Sequence, residues 1–168
     1  MLKRYLFSGS YFCKNSNVLD TCCGLGWGSY IISQYARQIT AFDIAPEVID
    51  FCQKNWKAEN IKWLCGNTLD LSFLKEQTFD IILGMETIEH FTKPDGEKYI
   101  SQATSVLKQG GFFVGTSAFP ENKVDAEHLC KTNPYHLYIF TYEEMMEILL
   151  KYFSEATIIS NWMFTAKK

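Results

Sequence analysis

The 168 residues predict one domain, residues 1–168, of the doubly wound α/β class with a mostly parallel sheet. Three observations lead there. Short apolar segments alternate with longer segments whose apolar residues recur at helical spacing. The first two apolar segments each end in an aspartate, Asp20 and Asp43. A glycine loop, Gly24-Leu25-Gly26-Trp27-Gly28, follows the first of them and opens a helix.

Val18-Leu19-Asp20 reads as a short buried strand, and residues 29–35 as the helix beyond the loop. Residues 38–43 form a second strand. Pro46 suits a first helical turn, where its missing N–H would be unpaired anyway, and that helix runs to about Asn55. Residues 61–64 and 79–83 read as the third and fourth strands, with Asp80 at the start of the latter. A helix over 94–107 places Ile100, Ala103 and Leu107 on one face, and Gly110-Gly111 is expected to end it before a fifth strand over 112–115. Such alternation implies β-α-β units with right-handed crossovers. From Phe119-Pro120 to about Tyr138 lies a long polar stretch, a candidate functional loop. Thr141 and Glu144 then form a capping box for a helix carrying Met145, Ile148, Leu149 and Tyr152. Residues 156–160 and 162–166 read as two strands divided by Asn161.

Bulk properties narrow the class. With 47% hydrophobic and 21% charged residues, the chain is an ordinary globular protein. A net charge of -3 with no Lys/Arg block disfavours nucleic acid as a partner. No apolar run approaches the length a membrane helix needs, so membrane insertion is not expected. The opening Met1–Phe7 stretch is weakly signal-like, but no small-residue cleavage site follows it. Six cysteines, at 13, 22, 23, 52, 65 and 130, make neither a disulfide framework nor a metal motif. They suit a reducing cytoplasm.

A strand, a glycine loop and a helix bring a ligand against backbone amides at the helix N-terminus. The spacing here is G-x-G-x-G, with Ser29 where the third glycine of a dinucleotide loop would fall, and no lysine-serine pair of the triphosphate-binding type is present. Asp43, at the end of the second strand, can accept hydrogen bonds from a ribose diol. With Gly66-Asn67 and Met85-Glu86 at later strand ends, the pattern points to an adenosine-containing ligand.

Residues 18–29, Ile39-Thr40-Ala41-Phe42-Asp43-Ile44, Phe79-Asp80-Ile81-Ile82-Leu83 and Leu107-Lys108-Gln109-Gly110-Gly111 together resemble the motifs of class I S-adenosylmethionine-dependent methyltransferases. The resemblance spans about residues 4–153 and implies their Rossmann-like fold and S-adenosylmethionine as cofactor. It implies strand order 3-2-1-4-5, with a last, antiparallel strand between strands five and six. By the same resemblance, Gly24 and Gly26 lie along the methionine portion, and Asp20 organises its ammonium group. Asp43 takes the ribose hydroxyls, Ile44 packs on adenine, Asn67 and Thr68 close the adenine edge, and Met85 and Glu86 border the methionine end. Cys22 stands in the loop where a glycine is usual, and Asn67 where an aspartate is usual.

Glu86, Glu89 and His90 form the most informative polar cluster. In a helical turn over 86–90 their spacing puts all three on one face. With His136 they can hold a divalent ion such as Mg or Mn. The Glu-x-x-Glu-His element is similar to one in ubiquinone-biosynthesis O-methyltransferases and small-RNA 2′-O-methyltransferases, where it belongs to a magnesium-type site, and it also occurs in class I enzymes without metal. The candidate catalytic residues are therefore His90 as base, Glu89 and His136, either metal-free or as ligands. The acceptor implied is a small molecule or glycan, most simply through a hydroxyl. Residues 133–141 resemble a segment of bacterial methyltransferases associated with glycan genes. Arg4-Tyr5-Leu6-Phe7 resembles a cofactor-covering N-terminus with little before it, so the lid is shortened or supplied by another chain, a second copy or a partner subunit. The competing class is a non-catalytic methyltransferase-like interaction or regulatory subunit.

Overall fold

The computed structural model describes residues 2–74 and 78–168. Seven strands form one sheet: β1 (Asn17–Thr21), β2 (Gln38–Asp43), β3 (Ile61–Cys65), β4 (Phe79–Met85), β5 (Leu107–Thr116), β6 (Glu155–Ile159) and β7 (Met163–Lys167). Their order is β3-β2-β1-β4-β5-β7-β6. Strands β1 to β5 pair in parallel, and β7 runs antiparallel to both β5 and β6. The expected core order and the inserted last strand are both present.

Strand periodicity divides the core into two layers. Leu19, Phe42, Ile82 and Phe113 point to one face, where they meet helices α4 (Lys93–Val106) and α6 (Tyr142–Tyr152). Val18, Ile39, Ala41, Ile81, Leu83 and Val114 point to the other. There they meet α1 (Leu2–Tyr11), α2 (Trp27–Ile32) and α3 (Pro46–Asn55) through Tyr5, Ile32 and Ile49. With both faces covered, the middle strands read as continuous apolar runs rather than alternating ones.

Three local expectations need correction. The helix before β5 ends at Val106, and the chain is already strand at Leu107. Gly110-Gly111 instead lie inside β5, where pairing with β4 slips from Phe79↔Leu107 to Ile81↔Phe112 and Gly110 takes φ 77. Glycine serves an extra-residue kink there, not a helix end. The polar stretch after Pro120 contains a helix of its own, α5 (Lys123–Thr132), capped by Asn122. Helix α1 was legible only as a short apolar opening. The separation at Asn161 is a tight turn: Ser160 and Asn161 take φ 51 and 55, and the Trp162 N–H donates to the Ile159 carbonyl at 3.3 Å. Two left-handed residues in succession match the strand twist, which lets β6 and β7 form a hairpin across so few residues.

The capping box at Thr141 is present, with the Glu144 N–H donating to Thr141 Oγ1 at 3.3 Å and the Thr141 N–H to Glu144 Oε2 at 3.2 Å. Glu144 also accepts from Lys93 Nζ at 2.7 Å and from the Tyr138 hydroxyl at 2.8 Å. Burial pushes this carboxyl up, but the hydrogen bonds from Lys93, Tyr138 and Thr141 outweigh it and hold it down at about 2. A carboxyl with a lowered folded pKa stabilises above its unfolded value and loses that contribution as pH falls. Glu144→Gln should therefore cost about 1–2 kcal/mol at pH 7, after allowance for solvent screening. Urea unfolding of the two proteins should converge as pH falls from about 4.5 toward 2.

Candidate functional site

Near its end β1 carries a carboxylate that water cannot reach. Asp20 is fully buried; its Oδ2 accepts from Ser29 Oγ at 2.6 Å, while Oδ1 has no partner. Burial pushes this carboxyl up to about 7, against the Ser29 hydrogen bond, and nearby Asp43 adds to the rise. Ser29, which in sequence marks only a missing glycine, is thus the residue that holds Asp20 in place. The loop between them turns through left-handed backbone at Cys22, Gly24 and Gly26, with φ 54, 51 and 76. Nothing lies within 4 Å of where a Gly24 side chain would start, so bare backbone borders open space there. Gly28 is required for another reason: a side chain on it would run into the ring of Tyr5 on α1. Cys22 sits half-buried in the conformation that a glycine adopts without strain. Burial, with Asp43 and Asp20, pushes its thiol up to about 12, so it stays protonated beside Thr87.

Around the same end of the sheet, Asp43 accepts from the Gly24 N–H at 3.0 Å and the Ala45 N–H at 3.2 Å, one on each oxygen. Both oxygens keep acceptor capacity. Ile44 is 66% exposed. The Asn67 Oδ1 accepts from the Leu69 N–H at 2.9 Å, and the buried Thr68 hydroxyl has no partner. Met85 closes β4, buried.

The expected helical turn over 86–90 is not what forms. Glu86 takes φ 53, and only Ile88–His90 make a 3₁₀ turn. The left-handed residue swings Glu86 off the common face, and its carboxylate pairs with Arg4 of α1. Arg4 in turn lies over the Trp162 ring at 4.8 Å. The ion pair ties α1 to the end of β4 and the stacking on Trp162 ties it to the β6-β7 turn, roles that no pattern of residues reveals.

The other three members do gather. Ligand atoms of Glu89, His90 and His136 all lie within 4.8 Å of one another, and the two imidazole rings are 5.4 Å apart. Backbone bonds bring them together: the Glu89 carbonyl accepts from the N–H groups of Leu137, at 2.9 Å, and Tyr138. Glu89 is 3% exposed, its Oε2 is unpartnered, and burial pushes the carboxyl up to about 7. His90 Nδ1 lies 2.9 Å from the Tyr135 carbonyl. A carbonyl only accepts, so Nδ1 carries the proton and Nε2 of the neutral ring has a free lone pair. His136 has the same tautomer with its lone pair in use: Asn133 accepts from the Tyr135 N–H through Oδ1, so its Nδ2 donates to His136 Nε2 at 3.0 Å, and the proton sits on a buried, unpartnered Nδ1. The third histidine, His128, is exposed on α5.

A doubly wound sheet with an open glycine loop and acidic strand ends defines a nucleotide-type α/β protein. A family profile described as a methyltransferase domain matches residues 18–111, more than half of the chain. The chain belongs to that family, the class I S-adenosylmethionine-dependent methyltransferases. Among related proteins, the fatty-acid O-methyltransferase of Mycolicibacterium smegmatis is 27% identical over 109 residues, 64% of this chain and 39% of its own length. The ubiquinone biosynthesis O-methyltransferase of Xanthomonas campestris is 30% identical over 127 residues, 71% of this chain and 52% of its own. The chain thus spans about half the length, or less, of these relatives. The solved structure of the N-methyltransferase NodS from Bradyrhizobium japonicum, in complex with S-adenosyl-L-homocysteine, shares the fold. Its TM-score is 0.72 at 18% identity, covering 98% of this chain and 84% of that one. No helix among the described residues is long and apolar enough to cross a membrane.

The buried Asp20 makes a testable demand on stability. A carboxyl whose folded pKa is raised leaves the fold most stable below about 3.8, and stability falls as pH rises through about 7. In the ligand-free protein, Asp20→Asn should keep the Ser29 hydrogen bond while removing that loss. Thermal melts should show the variant several degrees more stable at pH 8 and equal to the parent near pH 4.

Proposed function

We propose that this chain binds S-adenosylmethionine across the carboxyl ends of β1, β2 and β4 and transfers its methyl group to a hydroxyl of a small molecule. The observation that carries this reading is a buried, unpartnered oxygen on Asp20 at the same sheet end as a histidine, His90, with a free ring nitrogen. A buried polar atom without a partner is costly, and an ammonium group beside Asp20 would remove that cost. The rest of the site fits the same ligand. Gly24 leaves room against the backbone, Cys22 and Met85 line the loop and strand end, and Asp43 retains acceptor capacity for a ribose diol. Exposed Ile44 offers a flat apolar surface, and Asn67 and the unpartnered Thr68 hydroxyl suit a purine edge. A subunit that bound no cofactor would leave these unpaired atoms without a purpose.

The cofactor supplies an electrophilic methyl group on a sulfonium centre. The chain's own task is to align the acceptor, exclude water and remove the hydroxyl proton. His90 Nε2 takes that proton, and the Tyr135 carbonyl steadies the imidazolium through Nδ1. Glu89 sits beside it with one free oxygen.

A second reading rests on the clustering itself. Glu89, His90 and, once it gives up its Asn133 hydrogen bond, His136 would supply one oxygen and two nitrogens, a set that suits manganese or zinc better than magnesium, which prefers oxygen ligands. Glu86 does not complete the set while Arg4 holds it. Metal at these residues would lower the pKa of an acceptor hydroxyl.

Asp43→Ala should weaken binding of S-adenosylhomocysteine by about 1–3 kcal/mol in isothermal titration. An unchanged Kd would mean that the ligand does not use this strand end. His90→Ala should slow single-turnover methyl transfer by about 10²- to 10⁴-fold with cofactor affinity unchanged. Insensitivity of the parent to chelator selects the metal-free base. Loss of activity with chelator and recovery with manganese selects the metal.

A further inference from the structure

Helix α5 has almost no core behind it. Of its 10 residues only Ala126 is buried. Yet Lys123, Ala126, Glu127, Cys130 and Lys131 recur at three- and four-residue spacing on one helix face, and that face lines a cavity of about 300 Å³. Leu137 and Ile139 form the facing wall. A helix this short normally turns one face onto packed side chains, because short helices draw most of their stability from that contact. Here the face meets an open, mostly apolar space, whose lining lacks dispersion partners.

The cavity's place gives it a use. Leu137 directly follows His136, and its N–H donates to the Glu89 carbonyl at 2.9 Å. One wall of the cavity is therefore built from the same backbone that assembles the Glu89-His90-His136 cluster. At about 30 Å³ per water-sized atom in a liquid, the space holds about ten non-hydrogen atoms. The polar members of its lining are Lys123, Glu127 and Lys131, which are exposed, and Tyr138 and Glu144, which bond to each other at 2.8 Å. A sugar set against the remaining wall, Ala126, Cys130, Leu137 and Ile139, would have hydroxyls there without hydrogen-bond partners, which is unfavourable. A hydrocarbon chain meets no such penalty.

We propose that this cavity takes the apolar body of the methyl acceptor, an amphiphile with a segment of about ten carbons, and leads its polar end to the Glu89-His90-His136 cluster. The identification of the occupant as acceptor rests on the methyl-transfer reading of that cluster; the cavity's preference for a hydrocarbon segment does not.

Decanoate is a suitable probe, and Cys130, which lines the cavity and is half-buried, is a suitable reporter. In the full chain carrying Cys65→Ser, which removes the exposed thiol, alkylation of Cys130 should slow at least about tenfold at saturating decanoate. The Kd should be about 0.1 mM, the range expected for a ligand of this size, and glucose should have no effect. Ala126→Trp, which fills the space, and Leu137→Asp, which charges its mouth, should each abolish decanoate binding by calorimetry. Both should leave S-adenosylhomocysteine affinity within about twofold. Leu137 is 59% exposed, so its variant keeps the test open if Ala126→Trp fails to fold. Absence of protection in the parent, or binding that survives Leu137→Asp, overturns the proposal and leaves the methyl-transfer reading standing. Protection of Cys130 in a protein that does not bind S-adenosylhomocysteine keeps the cavity but removes its occupant's role as acceptor.

Discussion

Burial of the Asp20 carboxylate near the end of β1 is the constraint around which this end of the molecule is arranged. β1 lies between β2 and β4 and is covered on both faces, so its last residues enter an interior that water does not reach. A charge there needs fixed partners, and among the described residues only Ser29 provides one. To bring Ser29 back onto Asp20, the chain must reverse within a few residues. Left-handed backbone at Cys22, Gly24 and Gly26 makes that reversal possible. The reversal also leaves one Asp20 oxygen free and Gly24 bare against open space, so the requirements of folding and of the proposed cofactor fall on the same residues.

The opposite side of the cleft is assembled by backbone rather than by charge. The Glu89 carbonyl takes two N–H groups from the segment after α5, and the Tyr135 carbonyl orients His90. Residues far apart in the chain thereby become neighbours that share one ring tautomer but differ in its use, His90 with a free Nε2 and His136 with its Nε2 engaged. Glu86, so close to them in sequence, is turned away by a single left-handed residue and serves instead to dock α1. Docking matters to the loop as well, because the Tyr5 ring occupies the space over Gly28 and stacks edge-on with Trp27 at 5.0 Å.

Local chemistry made much of the fold legible. Pro46, the Thr141-Glu144 box and the apolar strands act through neighbours a few residues away, and the structure places a helix start or strand at each of them. Gly110-Gly111 misled because glycine permits both a helix end and a kink within a strand. Only pairing with β4, a partner distant in sequence, selected the kink. Helix α5 was hidden because its helical spacing runs through polar residues that bury little, which leaves no apolar periodicity to detect.

For the site, the sequence by itself determined which residue types stand at the strand ends: Asp20, the glycine loop, Asp43, Glu89 and His90. Their positions follow from strand and loop order, which short-range pattern encodes. Tertiary structure alone decided what each of them meets. It paired Ser29 with Asp20, set His136 beside Glu89 and His90, and gave Glu86 to Arg4. The reason is physical: hydrogen bonds and ion pairs depend on distance and direction between segments brought together by packing. A one-residue change in backbone hand, as at Glu86, redirects a side chain without leaving any mark in the pattern of residues.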